Sequence, residues 1–85
     1  MAMCIRKIIG DNVRYRRLKL HLTQTELARK IGTTQKTICR IETYCQNTTA
    51  DMLSRLSAAL CVPAYTLAIE LDPENLAELR RLEEM

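Results

Sequence analysis

Apolar residues recur at spacings of three and four along nearly the whole chain, and this spacing predicts helices rather than strands. The predicted helices cover about 4–20, 24–31, 35–42, 50–60, 64–70 and 73–84. We expect the first to bury Ile9, Val13 and Leu20 on one face, and the fifth to direct Leu67 inward. A chain with no Phe or Trp and with only two Gly and two Pro also favours helices over a sheet. The predicted fold class is therefore all-α.

The second predicted helix has the clearest start in the chain. Thr23-Gln24-Thr25-Glu26 is a capping box, in which the side chains of the first and last residues satisfy each other's backbone N–H groups. Gly32 can adopt a positive φ and end this helix. Since only Thr33 separates Gly32 from Thr34, a favourable N-cap, a third helix is predicted to begin almost at once.

The third predicted helix is short and polar. Its apolar positions are Ile38 and Ile41, so neighbouring helices must hold it, and its other face remains available for a ligand. Two short helices joined by a tight turn form the helix-turn-helix, which places its second helix in the DNA major groove. The residues predicted to maintain this unit are Ala28, Gly32, Ile38, Ile41 and Glu42.

Charge is distributed unevenly along the chain, although the net charge is only +3. Residues 1–45 carry ten Lys and Arg against three acids, a net charge of +7, and residues 46–85 carry three Arg against seven acids, a net charge of −4. A basic half beside an acidic half suggests a face that meets a polyanion.

An enzymatic function has little support in the sequence. It contains no nucleophile-base pair and no Gly-rich phosphate loop, and its single histidine, His21, lies at a predicted helix C-cap. The four cysteines form no C-x-x-C pair, so we expect reduced thiols, no metal site and no cofactor. No apolar stretch is long enough for a membrane span, and the N-terminus does not look like a signal peptide, so a cytoplasmic location is expected.

The segment LTQTELARKIGTTQKTICRIE resembles the helix-turn-helix of the Cro/CI-type (XRE) family of phage and bacterial repressors. The resemblance extends from about Ile9 to Leu67 and includes TTADMLSRLSAALCVPAYTL. It implies a lambda-repressor-like five-helix DNA-binding domain over residues 1–71, with its helix-turn-helix at 23–42 and an additional C-terminal helix at 72–85. It also implies a homodimer that binds pseudo-palindromic double-stranded operator DNA, with helix 35–42 as the recognition helix.

The resemblance and the side-chain chemistry together indicate candidate contacts. Gln24 matches a family position that holds a phosphate at a helix N-terminus. Gln35 is suited to adenine, and Lys36 to guanine. The full predicted DNA-binding set is Gln24, Thr34, Gln35, Lys36, Thr37, Arg40, Thr43 and Arg17. For the polar side chains of this set, a solvated helix surface is the alternative interpretation.

Arg17 and Glu42 match an Arg and a Glu that form an ion pair in many family members. Two positions depart from the family pattern. Thr43-Tyr44 follows Glu42 where Asn-Gly is common, so Tyr44 is expected either to contact the DNA backbone or to cover the core. Cys61 replaces a common Gly, so strain or a different cap is expected at the end of the fourth helix.

The predicted C-terminal helix leaves a second hypothesis open. Its Leu76, Leu79 and Leu82 can complete the core, form a dimer contact or receive a helix of another protein. The last possibility corresponds to an antitoxin or anti-regulator whose main partner is a protein and for which DNA binding is secondary.

Overall fold

The computed structural model describes residues 4–44 and 46–84, and it confirms the all-α fold class. The helices are α1 (Ile5–Lys19), α2 (Gln24–Ile31), α3 (Gln35–Thr43), α4 (Ala50–Leu60), a 3-10 helix (Ala64–Ala68) and α5 (Pro73–Glu83). No strand occurs within the described residues, and none of the helices they form is long and apolar enough to cross a membrane.

The main core lies where α1, α2, α3, α4 and the 3-10 helix meet. Val13, Leu27, Ile38, Leu56 and Leu67 are fully buried there. Each of these five helices therefore contributes a branched aliphatic side chain to the main core. This shared burial stabilises helices that are too short to persist alone.

A second, smaller cluster joins α5 to α1. Leu79 is 5% exposed and packs with Tyr15 and Leu71, while Leu76 and Leu82 are partly buried against the same cluster. The Tyr15 hydroxyl donates to Glu78 Oε2 at 2.8 Å, which adds a polar contact at its edge. The C-terminal helix thus uses its leucine stripe largely within the chain.

Two expectations about the helices were wrong. Leu20 does not join the core: α1 ends at Lys19, Leu20 is its C-cap, and its side chain is 44% exposed. The segment predicted as a fifth α-helix is instead a five-residue 3-10 helix, although Leu67 is buried as expected. The first helix ends before its apolar spacing does, and the segment after Pro63 forms 3-10 rather than α-helical turns from its start.

Two non-glycine residues that follow helices have a positive φ. His21 follows α1 with φ 57°, and Cys61 caps α4 with φ 60°, so both are left-handed. Such a conformation is strained for a non-glycine residue, which accords with the expectation at Cys61. The thiols of Cys4, Cys39 and Cys61 are free, and Cys45 lies outside the described residues.

Candidate nucleic-acid interface

The turn between α2 and α3 is defined by local hydrogen bonds. The Glu26 N–H donates to Thr23 Oγ1 at 3.0 Å, and the Thr23 N–H donates to Glu26 Oε1 at 2.9 Å, so the capping box is complete. The hydrogen bond from the Thr23 N–H lowers the pKa of Glu26 below its usual range. At the other end of α2, Gly32 has φ 74° and the Thr33 N–H donates to the Ala28 carbonyl at 2.9 Å.

Helix α3 is anchored on one side only. Ile38 and Ile41 are buried, and Thr34 caps the helix by accepting from the Thr37 N–H at 3.3 Å. The opposite side carries polar side chains that face solvent. Exposed residues there are Gln35, Lys36, Arg40 and Thr43, and Thr37 and Cys39 are half-buried. The anchored helix therefore presents amide, ammonium and guanidinium groups along one outward surface, which we call the α3 face.

A buried ion pair fixes α3 against α1. Arg17 donates through Nε to Glu42 Oε2 at 2.8 Å and through Nη2 to Oε1 at 2.9 Å, and both residues are buried. A third donor, Nη1, bonds the Leu22 carbonyl at 2.8 Å. This bidentate geometry is the strong form of an Arg–carboxylate contact, and it links α1, α3 and the segment that precedes α2.

Glu42 also begins a chain of side-chain amides that reaches the α3 face. Gln24 Nε2 donates to Glu42 Oε1 at 3.2 Å, and Gln35 Nε2 donates to Gln24 Oε1 at 2.7 Å. Gln35 keeps one N–H and its carbonyl oxygen for another partner. The ion pair is therefore connected to the first residue of the candidate recognition helix through a single intervening glutamine, which we call the amide relay.

Sequence reasoning identified each member of this network and missed the relay itself. Gln24 and Gln35 are the first residues of two different helices, and only the tight turn at Gly32 brings their side chains together. Arg17, Gln24 and Gln35 also line one cleft, which His21 and Leu82 help to form. The cleft lies at the N-terminus of α2, where the helix dipole favours an anion.

The structure excludes one of the two expectations for Tyr44, that it covers the core, and leaves its contact with DNA a prediction. Its side chain is 73% exposed directly after α3, so it does not cover the core. Its backbone N–H donates to the Arg40 carbonyl at 2.9 Å and ends the helix. Tyr44 thus extends the exposed polar surface beyond the last turn of α3.

Acidic side chains of α5 neutralise part of the positive charge of α1. Glu83 pairs with Arg14 at 3.2 Å, and Glu78 lies 3.7 Å from the ammonium of Lys19. The exposed cations of the α3 face, Lys36 and Arg40, form no ion pair within the described residues. The positive charge that remains free for an external polyanion therefore includes the α3 face.

Comparisons with known proteins agree with this geometry. Residues 13–67, roughly two thirds of the chain, match the family model described as helix-turn-helix. A crystal structure of the hypothetical transcription factor NHTF from Neisseria is similar, with a TM-score of 0.74 and 29% sequence identity over 96% of this chain and 86% of that one. No curated protein sequence matches the chain significantly.

Proposed function

The chain belongs to the Cro/CI-type (XRE) helix-turn-helix family of DNA-binding transcriptional regulators, and on that premise we propose that it is a repressor that binds a pseudo-palindromic operator as a homodimer. In this proposal α3 lies in the major groove and reads base edges, while the N-terminus of α2 holds the phosphate backbone. The observation that carries the proposal is the exposure of Gln35, Lys36 and Arg40 on a helix whose isoleucines are buried.

Each outward residue has a contact suited to its chemistry. Gln35 pairs with an adenine through its remaining N–H and its carbonyl oxygen, and Lys36 donates to guanine O6 or N7. Thr37 meets a thymine methyl or a phosphate. Arg40 lies one turn beyond Lys36 and reaches a guanine or the backbone. These contacts supply the base selectivity of the proposed repressor.

The remaining residues of the proposed interface hold the phosphates. Gln24 lies at the positive end of α2 beside Arg17, whose guanidinium keeps two N–H groups beyond the three it donates within the chain. Thr34, the N-cap of α3, and Thr43, its last residue, are both exposed. Because several phosphates are neutralised in each subunit, binding should weaken steeply as the salt concentration rises.

A homodimer is proposed because a recognition helix of nine residues covers few base pairs. Two copies related by a two-fold axis double the contacted sequence and place their half-sites about 34 Å apart, or one helical turn. The partly buried Leu76 and Leu82 are the α5 positions that remain for a subunit contact, since Leu79 is buried within the chain. The same two residues would also be the ones left for a helix of another protein, as the antitoxin hypothesis requires, so the selection experiment below has to separate the two proposals.

The deciding experiment is selection of bound sites from a random pool of duplex DNA. The wild-type chain should enrich an inverted repeat whose half-site centres are about 10 base pairs, or a multiple of this, apart. Lys36→Ala should lose the preference at one position in each half-site. Lys30→Ala is the matched control, since it also removes one exposed cation but lies on α2 outside the α3 face.

Several outcomes would contradict the proposal. An unenriched pool would remove sequence-specific binding, and an enriched sequence without inverted symmetry would remove the homodimer. Equal effects of Lys36→Ala and Lys30→Ala on the enriched sequence would show that α3 does not read the bases. Repression is tested separately, by placing the enriched site over a promoter and measuring transcription with and without the protein.

A further inference from the structure

Gly10 lies in the middle of α1, where a glycine is unfavourable. It is the sixth residue of a fifteen-residue helix, and it is buried. Glycine lowers helix stability relative to alanine because it loses more backbone entropy on folding. Its φ is negative, so the backbone conformation of α1 does not require it. The reason for a glycine at this position must therefore lie in what packs against it.

The C-terminal end of α3 occupies the space of the missing side chain. A Cβ atom on residue 10 would lie 2.5 Å from the Ile41 carbonyl oxygen and 3.5 Å from both the Cα and the carbonyl oxygen of Glu42. The first distance is far inside van der Waals contact. Because the clashing atom belongs to the backbone, no rotation of a side chain can relieve it, and α1 and α3 would have to move apart.

Two arginines of α1 meet the same end of α3. Arg14 and Arg17 lie four and seven residues after Gly10, so all three share one face of the helix. Arg17 holds the Glu42 carboxylate, and Arg14 Nη2 makes a long contact of 3.5 Å with the Glu42 carbonyl oxygen. Positive charge at a helix C-terminus is favourable because the helix dipole is negative there. We call Gly10, Arg14 and Arg17 the α1 seat.

We propose that Gly10 and Arg14 are positioning residues for DNA recognition: the α1 seat sets how closely α3 approaches the core, and hence where Gln35, Lys36 and Arg40 stand relative to the bases. This inference rests on the proposed function. Relief of the clash requires a shift of roughly 0.8–1.1 Å, since the Cβ would lie 2.5 Å from the Ile41 oxygen and carbon and oxygen atoms in close contact lie about 3.3–3.6 Å apart. Binding sites tolerate displacements of only about 0.5 Å.

The expected signature is a loss of selectivity rather than of general affinity. Base contacts depend on the exact placement of α3, whereas phosphate contacts adapt and bind any sequence. Gly10→Ala should therefore lower the ratio of operator affinity to random-duplex affinity by at least about tenfold, as the loss of one base contact per half-site would. The matched control is Leu60→Val, which perturbs the core from α4 outside the α1 seat.

Arg14→Met provides a second variant that keeps the fold if Gly10→Ala does not. It removes the cation at the α3 carboxyl end and retains most of the apolar stem, and we expect a three- to tenfold fall in the same ratio. Its control is Glu83→Gln, which removes the Arg14–Glu83 pair and leaves the α1 seat intact. Two results would overturn the proposal. In the first, Gly10→Ala and Arg14→Met fold and keep a ratio of operator affinity to random-duplex affinity within twofold of wild type. In the second, their control variants lose as much of this ratio as they do.

A measurement without DNA separates this inference from the proposed function. In amide NMR spectra of Gly10→Ala or Arg14→Met, the largest shift changes outside α1 should lie at the end of α3, around Ile41 and Glu42. If the wild type selects no operator, the proposed function fails, and these shifts still test the α1 seat. Changes confined to α1 and α5 would refute it.

Discussion

Replacing Glu42 with alanine leaves the Arg17 guanidinium buried without its carboxylate. In the wild type this guanidinium makes two hydrogen bonds to Glu42 and one to the Leu22 carbonyl. Only the last survives the substitution. The Arg17 side chain is 10% exposed and that of Glu42 is 1% exposed, so water reaches the remaining charge poorly. The folded state of Glu42→Ala is therefore destabilised by most of the free energy needed to remove the Arg17 cation from water.

Removal of one partner from a buried ion pair costs about 3–5 kcal/mol. A chain of this length has a total stability of about 4–13 kcal/mol, at about 0.05–0.15 kcal/mol per residue. Glu42→Ala is therefore expected to lower the melting temperature by more than about 12 °C, because each kcal/mol shifts a small domain by about 4–8 °C. The exposed pair Arg55–Asp51 gives the contrast, since Asp51→Asn should cost less than about 1 kcal/mol.

A double-mutant cycle tests whether loss of the Arg17–Glu42 interaction is the cause of the lower stability. Arg17→Met should be as costly as Glu42→Leu, whereas the double variant should recover most of the lost stability, because two apolar side chains can replace a buried pair at little cost. The double variant still lacks the acceptor for Gln24, so its operator affinity should stay low. Single substitutions that each cost less than about 1 kcal/mol, or effects that simply add, would refute the reasoning.

Three further predictions concern stability. Cys61→Gly should add about 0.5–1 kcal/mol of stability and so raise the melting temperature, because the φ of Cys61 is 60° and glycine adopts this value without strain. An unchanged or lower melting temperature would show that Cys61 is not strained. Leu79→Ala should cost about 2–4 kcal/mol in denaturant unfolding, and a loss below about 1 kcal/mol would mean that α5 is not packed on α1. The pKa of Glu26 in the folded chain lies below its ordinary value of 4.5. The ionised carboxylate therefore stabilises the capping box above pH 4.5, and this stabilisation is lost as the pH falls through the lowered pKa. The difference in unfolding free energy between wild type and Glu26→Gln should therefore shrink on acidification below 4.5, and a constant difference would show that the carboxylate does not stabilise the cap.

The helix-turn-helix was predictable from the sequence because its boundaries are set locally. The capping box at Thr23, the left-handed Gly32 and the cap at Thr34 all act within a few residues. The predicted bounds of α2 are those observed, and α3 extends one residue beyond its predicted end. Capping and helix period depend on neighbours in sequence, so they can be inferred without knowledge of the packing.

Features that depend on distant residues were not predictable in this way. The apolar spacing placed Leu20 in the core, but the helix ended one residue earlier and the side chain turned to solvent. Neither the amide relay nor the close approach of Gly10 to Ile41 has a local pattern in the sequence. Both arise where separate helices cross, so only the packed structure defines them.

The central claim is that the α3 face binds duplex DNA, and an NMR titration with the selected operator tests it most directly. We expect the largest amide and side-chain shifts at Gln35, Lys36, Thr37 and Arg40, with smaller ones at Gln24. Shifts concentrated on α4 or α5, with the α3 face unperturbed, would contradict the account.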